Sequence, residues 1–300
     1  MYIKHTFSFR SLFRTIWWLL LATLIYSTIV YFLTKIIDTT KLDVPLAVTT
    51  VLGTAISLLL GFRTNAAYER WWEARKIWGA IVNDSRTLVR QFMGFLDQNQ
   101  SQQNEMTIEV ARLQIAWVHA LKNHLRNIEI EPEIREFLTK AETEQLKNKE
   151  NIPNAILDQM QHKLKICVDN GWLDTVQQSR IDTTIGRLCD AMGMCERIKN
   201  TVFPIQYSSF TVLSIGIFAL LFPLSIVRLE GVYVIPITFI VVFVFVLIEE
   251  IASYMQNPFE NRKSDTPMTS IARTIEINIL QQLGRNNVPE KLQPEKGVLM

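Results

Sequence analysis

The 300-residue sequence holds only three cysteines, Cys167, Cys189 and Cys195. They form no even-numbered disulfide framework and no C-x-x-C pair that would hold zinc, and they fit a reduced, cytoplasmic setting. Charge of one sign is scarce as well. Thirty-one lysines and arginines against 29 carboxylates leave a formal charge of +2, and no basic tract is long enough to track nucleic acid. No H-E-x-x-H, G-x-S-x-G or phosphate-binding loop occurs. His119 and His124 stand five apart and Cys189 and Cys195 six apart, so neither pair shares a helix face at ligand spacing. The reading is therefore of a protein that is not an enzyme and has no resident metal or cofactor.

What the sequence has in quantity is apolar: 48% of residues are hydrophobic and 20% charged, a balance that suits a chain with membrane and aqueous parts. A helix needs about 20 apolar residues to cross a hydrocarbon layer about 30 Å thick. Four charge-free runs qualify. The first lies between Arg14 and Lys35, with Trp17 and Trp18 near its start and Tyr31 near its end, where aromatic rings favour the interfaces. It is crowded with large residues and lacks the small-residue cleavage site of a signal peptide. The second, between Asp43 and Arg63, carries Thr49, Thr50, Thr54 and Ser57 and predicts a helix with one side on protein or water. The third runs from Asn200 to Val227 and the fourth from Gly231 to Ile248, separated by Arg228 and Glu230 as a tight hairpin.

Positive charge sets the orientation. Lys4, Arg10 and Arg14 precede the first span, Arg63, Arg70, Arg75 and Lys76 follow the second, and Arg262 and Lys263 follow the fourth. On the other side, Lys35 and Lys41 are balanced by Asp38 and Asp43, and Arg228 by Glu230. Both termini and the middle region are thus expected on the cytoplasmic side of the inner, or plasma, membrane.

Between the hairpins the chain reads as helices with polar breaks. Trp71, Ala74, Trp78 and Ile81 form one apolar stripe on a helix continuing from the second span. Residues 98–104 (QNQSQQN) read as a loop, followed by a helix rich in Ile108, Leu113, Ile115, Trp117 and Leu121. Pro132 and Pro153 sit where helices begin, Asp169, Asn170 and Gly171 mark a turn, and a helix over 174–199 leads to Pro204. After Asn257 and Pro258, Asp265 or Thr266 with Pro267 starts a last helix whose apolar face is Met268, Ile271, Ile275 and Ile279, ending before Gly284. The polar tail from Arg285 is expected to be poorly ordered. The division is residues 1–62 (N-terminal segment and first two spans), 63–203 (cytoplasmic helices), 204–252 (last two spans) and 253–300 (C-terminal helix and tail).

The segment GFRTNAAYERWWEARKIWG, from Gly61 to Gly79, resembles the signature that follows the second span of bacterial bestrophin-family proteins; its markers here are Gly61, Arg63, Asn65, Tyr68, Arg70 and Trp71. Asn257, Pro258 and Phe259 after the fourth span, and RTIEINIL from Arg273, resemble the family at the matching C-terminal place. The resemblance implies an all-α membrane protein with four transmembrane helices per subunit plus a helical cytoplasmic bundle. It further implies a homopentamer in membrane lipid, passing ions along one central pore lined by the second span. The family's narrow neck falls on Thr54, Leu58 and Phe62, and its cytoplasmic constriction near Val176. By spacing alone, Thr54, Leu58 and Phe62 read as a buried helix seam; the resemblance assigns them to the pore. Thr54 stands where the family usually has an apolar residue, which makes that level wetter.

An apolar neck works by exclusion, since it gives a passing ion no replacement for its water. Likeness to the bacterial branch leans the reading toward monovalent cations such as sodium, with chloride as the alternative; a coupled transporter or membrane-anchored scaffold is the alternative of another class, and no repeated halves favour the transporter. Glu249 and Glu250, at the end of the fourth span, read either as ion-handling groups or as an interfacial pair. Eukaryotic bestrophins carry an acidic calcium site after the matching Asn-Pro-Phe segment. Here Glu260, Asn261, Arg262, Lys263, Ser264 and Asp265 offer two scattered carboxylates beside two cations, so calcium gating is not expected.

Overall fold

A computed structural model of the chain describes residues 9–36, 44–201, 203–294 and 297–298. Lys4, Asp38, Lys41 and Asp43, on which part of the orientation argument rests, lie outside the described residues. The described elements are helical and gather into two compact units, one drawn from residues 5–71 and 202–257, the other from 72–201 and 258–300.

The first unit holds α1 (Phe9–Ile36), the opening half of α2 (Leu46–Phe95), α8 (Ile205–Glu230) and α9 (Val234–Met255). Three stretches are long and apolar enough to cross a membrane: Ile16–Ile36, part of Leu46–Phe95, and Ile205–Met255. The last is folded in two, as the hairpin reading expects. Gly231 adopts φ 55 after α8, a backbone region that favours glycine, and a 3-10 turn at Gly231–Tyr233 starts α9. Inside the unit Ile16 and Leu20 of α1, Ile56 and Leu60 of α2, Ile215 and Phe218 of α8, and Val242 and Val246 of α9 form one apolar cluster. A Cβ on Gly53 would lie 3.2 Å from Phe218 Cε2, so the missing side chain lets that ring sit against α2. Polar ties among the described residues include a buried hydrogen bond of 3.0 Å shared by Thr49 and Ser225, and the bonds that Tyr207 donates to the Leu59 carbonyl at 3.1 Å and Tyr26 to that of Leu220 at 3.0 Å. The outer surface is apolar, with Trp18, Ile25, Phe32, Phe210, Leu220 and Ile240 exposed. Such a sheath is stable only against hydrocarbon or another apolar surface.

The second unit is a bundle around α3 (Ser101–Arg126). Packed with it are the closing half of α2, α4 (Glu131–Ile134), α5 (Lys140–Leu146), α6 (Ile152–Asp169), α7 (Thr175–Asn200) and α10 (Met268–Gln282). The apolar stripe of α2 is confirmed in part: Ala74, Trp78 and Ile81 are fully buried and Trp71 is half-buried. Pro153 stands in the first turn of α6, Gly171 turns the chain with φ 68, and Asp174 accepts from the Gln177 backbone N–H at 2.8 Å in a capping box that starts α7. Met268, Ile275 and Ile279 of α10 point into the core and Ile271 lies partly in it. Two expectations fail. α10 starts at Met268 behind Pro267 without a side-chain cap, because Asp265 instead accepts from the Arg262 N–H and neither it nor Thr266 caps the helix. The loop read at 98–104 is shorter, because α3 already begins at Ser101; Gln103 reaches back to accept from the Asp97 N–H at 2.7 Å, and Gln98 donates to the Leu96 carbonyl at 3.0 Å. Glutamine side chains there satisfy the turn's backbone, so polar composition did not mean loop.

Candidate pore surface on the second helix

From Thr49 to Glu69, α2 divides lengthwise. Thr50, Thr54, Leu58, Phe62, Asn65 and Glu69 are exposed, while Thr49, Ile56, Leu60, Arg63 and Ala67 are buried. Spacing of three and four residues explains the first stripe, since such residues stack on one helix face. Leu58 is 58% and Phe62 67% exposed, so within a single chain they are not the buried seam that spacing alone indicates.

The chemistry of this face is apolar with a little hydroxyl. Thr50 donates to the Leu46 carbonyl at 2.9 Å, Thr54 to that of Thr50 at 2.9 Å, and Ser57 to that of Gly53 at 2.9 Å. Their protons are thus committed to the helix backbone, and each hydroxyl oxygen keeps only its lone pairs for other partners. From Leu46 to Ala66 the sequence of α2 contains no carboxylate; the first is Glu69, which accepts from the Asn65 amide at 3.0 Å. Beside this face, between α2 and α9, lies an open groove of about 550 Å³ floored by Leu60, Thr64, Phe245 and Ile248.

The other signature residues hold α2 in place. The Arg63 guanidinium is buried, with Nε 2.8 Å from Glu249 Oε2, and lies 5.2 Å from the Phe203 ring centroid. Arg70 donates from Nε to the Gln256 carbonyl at 2.7 Å, and Tyr68 stacks on Trp71 at 6.1 Å. Gly61 is exposed. Glu249 thus has a basic neighbour on α2. Phe203 and Tyr207 escaped sequence reasoning; their aromatic character ahead of a span was visible, but their partners on α2 were not.

The remaining candidates fall elsewhere. Val176 is 63% exposed in the first turn of α7, in the bundle. Asn257 follows α9, whereas Pro258 and Phe259 are buried, Phe259 in the bundle core. The carboxylates after them are engaged: Glu260 with Lys199 at 2.7 Å, and Asp265 accepting from the Arg262 N–H at 2.9 Å. Among the described residues no group of three or more histidines, cysteines or carboxylates is placed to hold a metal ion.

The profile of the family described as Bacterial/Fungal Bestrophin protein matches residues 2–281. A voltage-dependent anion channel-forming protein, YneE of Escherichia coli strain K12, is 30% identical over 279 residues, covering 92% of this chain and 90% of that one. One from Nostoc is 32% identical over 224 residues, 75% of this chain and 73% of the relative. A crystal structure of a bacterial bestrophin homolog from Klebsiella pneumoniae superposes with a TM-score of 0.84 at 25% identity, over 90% of this chain and 99% of that chain.

Proposed function

Because this chain belongs to the bacterial and fungal bestrophin family, we propose that it is the subunit of a homopentameric ion channel whose central pore is lined by the exposed stripe of α2. The observation that carries the reading is that Thr54, Leu58 and Phe62 lie unburied on one face of a helix whose opposite face is locked into its own subunit by Ile56, Leu60 and Arg63. A ring of such faces explains why large apolar groups stay uncovered in one chain, and the groove between α2 and α9 offers a neighbouring copy a place to seat. In this reading α1, α2, α8 and α9 are four membrane spans, the bundle and both termini are cytoplasmic, and Val176 marks a second constriction.

Leu58 and Phe62 form the neck. They act by refusing to replace an ion's water, so the barrier is lowest for ions that give up water cheaply. Chloride holds its water less tightly than sodium, and the positive edge of Phe62 favours an anion. The stretch from Leu46 to Ala66 carries no carboxylate to hold a cation. With the relatives' names, these points favour anion conduction over the sodium lean drawn from likeness to the bacterial branch. Two features support sodium as the second reading: Thr50 and Thr54 commit their hydroxyl protons to the helix backbone, and Glu69 is an exposed carboxylate on the same stripe.

The deciding experiment is the reversal potential of purified protein in planar bilayers across a sodium chloride gradient, with a Leu58→Ala, Phe62→Ala variant alongside. A shift toward the chloride potential with larger currents in the variant is expected. A shift toward sodium reverses the selectivity, and no current from either protein moves the assignment to a coupled transporter or scaffold.

A further inference from the structure

The pore reading makes no use of a polar stripe on α3. His119, Lys122, Asn123 and Arg126 recur at three- and four-residue spacing on a helix whose surroundings are mostly apolar. His119 is 3% exposed and its ring stacks on Phe137 at 5.6 Å between centroids. Its Nδ1 lies 2.9 Å from Glu133 Oε1 on α4, and its Nε2 lies 3.2 Å from Glu276 Oε2 on α10. A neutral imidazole owns one N–H and one lone pair, so it satisfies one carboxylate and turns a lone pair on the other. Only the doubly protonated ring donates to both.

The two carboxylates are not equivalent. Glu133 also accepts from Lys122 Nζ at 2.5 Å and Asn123 Nδ2 at 2.7 Å. Glu276 is otherwise bonded to Arg273, one turn earlier on its own helix, at 3.1 Å. The bond to His119 is therefore the described tie from Glu276 to another helix, and losing it acts on α10 more than on α4. We infer that His119 is a proton-operated clasp: its imidazolium fastens α10 to α3 and α4, and loss of the proton loosens α10 in its seat. The charged groups that act on the ring are Lys122 on α3, Glu133 on α4 and Glu276 on α10; beyond them Arg273 pairs with Glu276, and Arg126 on α3 feels Glu133 and Asp265.

Burial by itself lowers the affinity of His119 for a proton, but the hydrogen bonds to Glu133 and Glu276 outweigh burial and the nearby Lys122, and the net shift is upward. The tie is then complete below the ordinary histidine value, about 6.5, and is lost as pH rises through the elevated one. Because Met268, Ala272, Ile275 and Ile279 keep α10 seated by apolar contact, the helix relaxes without leaving the bundle.

The experiment uses the full chain in detergent, with amide hydrogen exchange of α10 followed from pH 6 to 9 and corrected for intrinsic exchange, and with imidazole nitrogen NMR on the four histidines. The expected result is that α10 protection falls as pH rises, by on the order of tenfold for each unit by which the His119 value is raised. His119→Gln, which carries no titrating proton, is expected to give weaker protection that does not change with pH. Flat protection in the unaltered protein, or protection in the variant that still follows pH, overturns the inference. If the variant does not fold, the ring itself decides: a His119 already neutral at pH 6 in the folded protein overturns it, and one that stays doubly protonated above the other histidines upholds it.

Discussion

Arg63 and Glu249 meet at 2.8 Å between Nε and Oε2, with their side chains 2% and 12% exposed. Phe62 precedes Arg63 by one residue, about 100° around the helix. Anchoring Arg63 inward therefore aims Phe62 outward. With Ile56 and Leu60, which are buried on the same side, the pair holds the rotation of α2 about its own axis and with it the direction of the exposed stripe.

Breaking this pair leaves a buried charge without its partner, which costs roughly 3–5 kcal/mol. Arg63→Leu and Glu249→Lys are expected to lower the thermal unfolding temperature of the purified protein sharply, and Glu249→Gln less. The double reversal Arg63→Glu, Glu249→Arg is expected to recover part of the loss. A single variant that unfolds like the unaltered protein would show that the pair is not the anchor of α2.

If the exposed stripe lines the pore as proposed, shortening it is expected to act on conduction and leave folding alone. Leu58→Ala and Phe62→Ala remove side chains that are unburied in one chain, so each is expected to raise bilayer current several-fold with melting temperature nearly unchanged. Thr54→Val replaces the hydroxyl with a methyl and is expected to reduce current. If currents follow stability across this series, the stripe is a packing surface between subunits and not a neck.

Calcium is expected to leave the current unchanged. Glu260 is paired with Lys199 and Asp265 accepts from the backbone ahead of α10, so a calcium ion would have to displace both to gather oxygen ligands. Recording in a chelator and then in added calcium measures this directly, and a strong response in either direction refutes it.

The bundle is expected to withstand mild acid. Burial opposes ionisation of Glu133, but hydrogen bonds from His119 and Lys122 outweigh it and pull the carboxyl down to about 2. A carboxylate depressed in the folded state contributes stability above its ordinary value, here 4.5, and loses it only as pH falls toward the depressed one. Circular dichroism of the helices should therefore hold from pH 7 to about pH 4, and Glu133→Gln should narrow that range.

Hydropathy carried much of this fold, because the cost of an unpaired charge in hydrocarbon is large enough that charge-free runs announce themselves. The break between α8 and α9 at Gly231, the apolar stripe through Ala74, Trp78 and Ile81, and the start of α7 at Asp174 were all legible for similar local reasons. The start of α3 was not, since glutamines that serve a turn look the same in sequence as glutamines that solvate a loop. Nor was the inward role of Arg63 and Glu249, because they are 186 positions apart and only helix packing brings them together.

By itself the sequence determined the helical class, the placement of the long apolar helices and the family, since these rest on composition, period and ordered motifs. The tertiary structure alone decided which face of α2 is turned outward and which groups flank His119. Four-residue spacing defines a stripe but not its direction, and direction comes from partners that are distant in the chain.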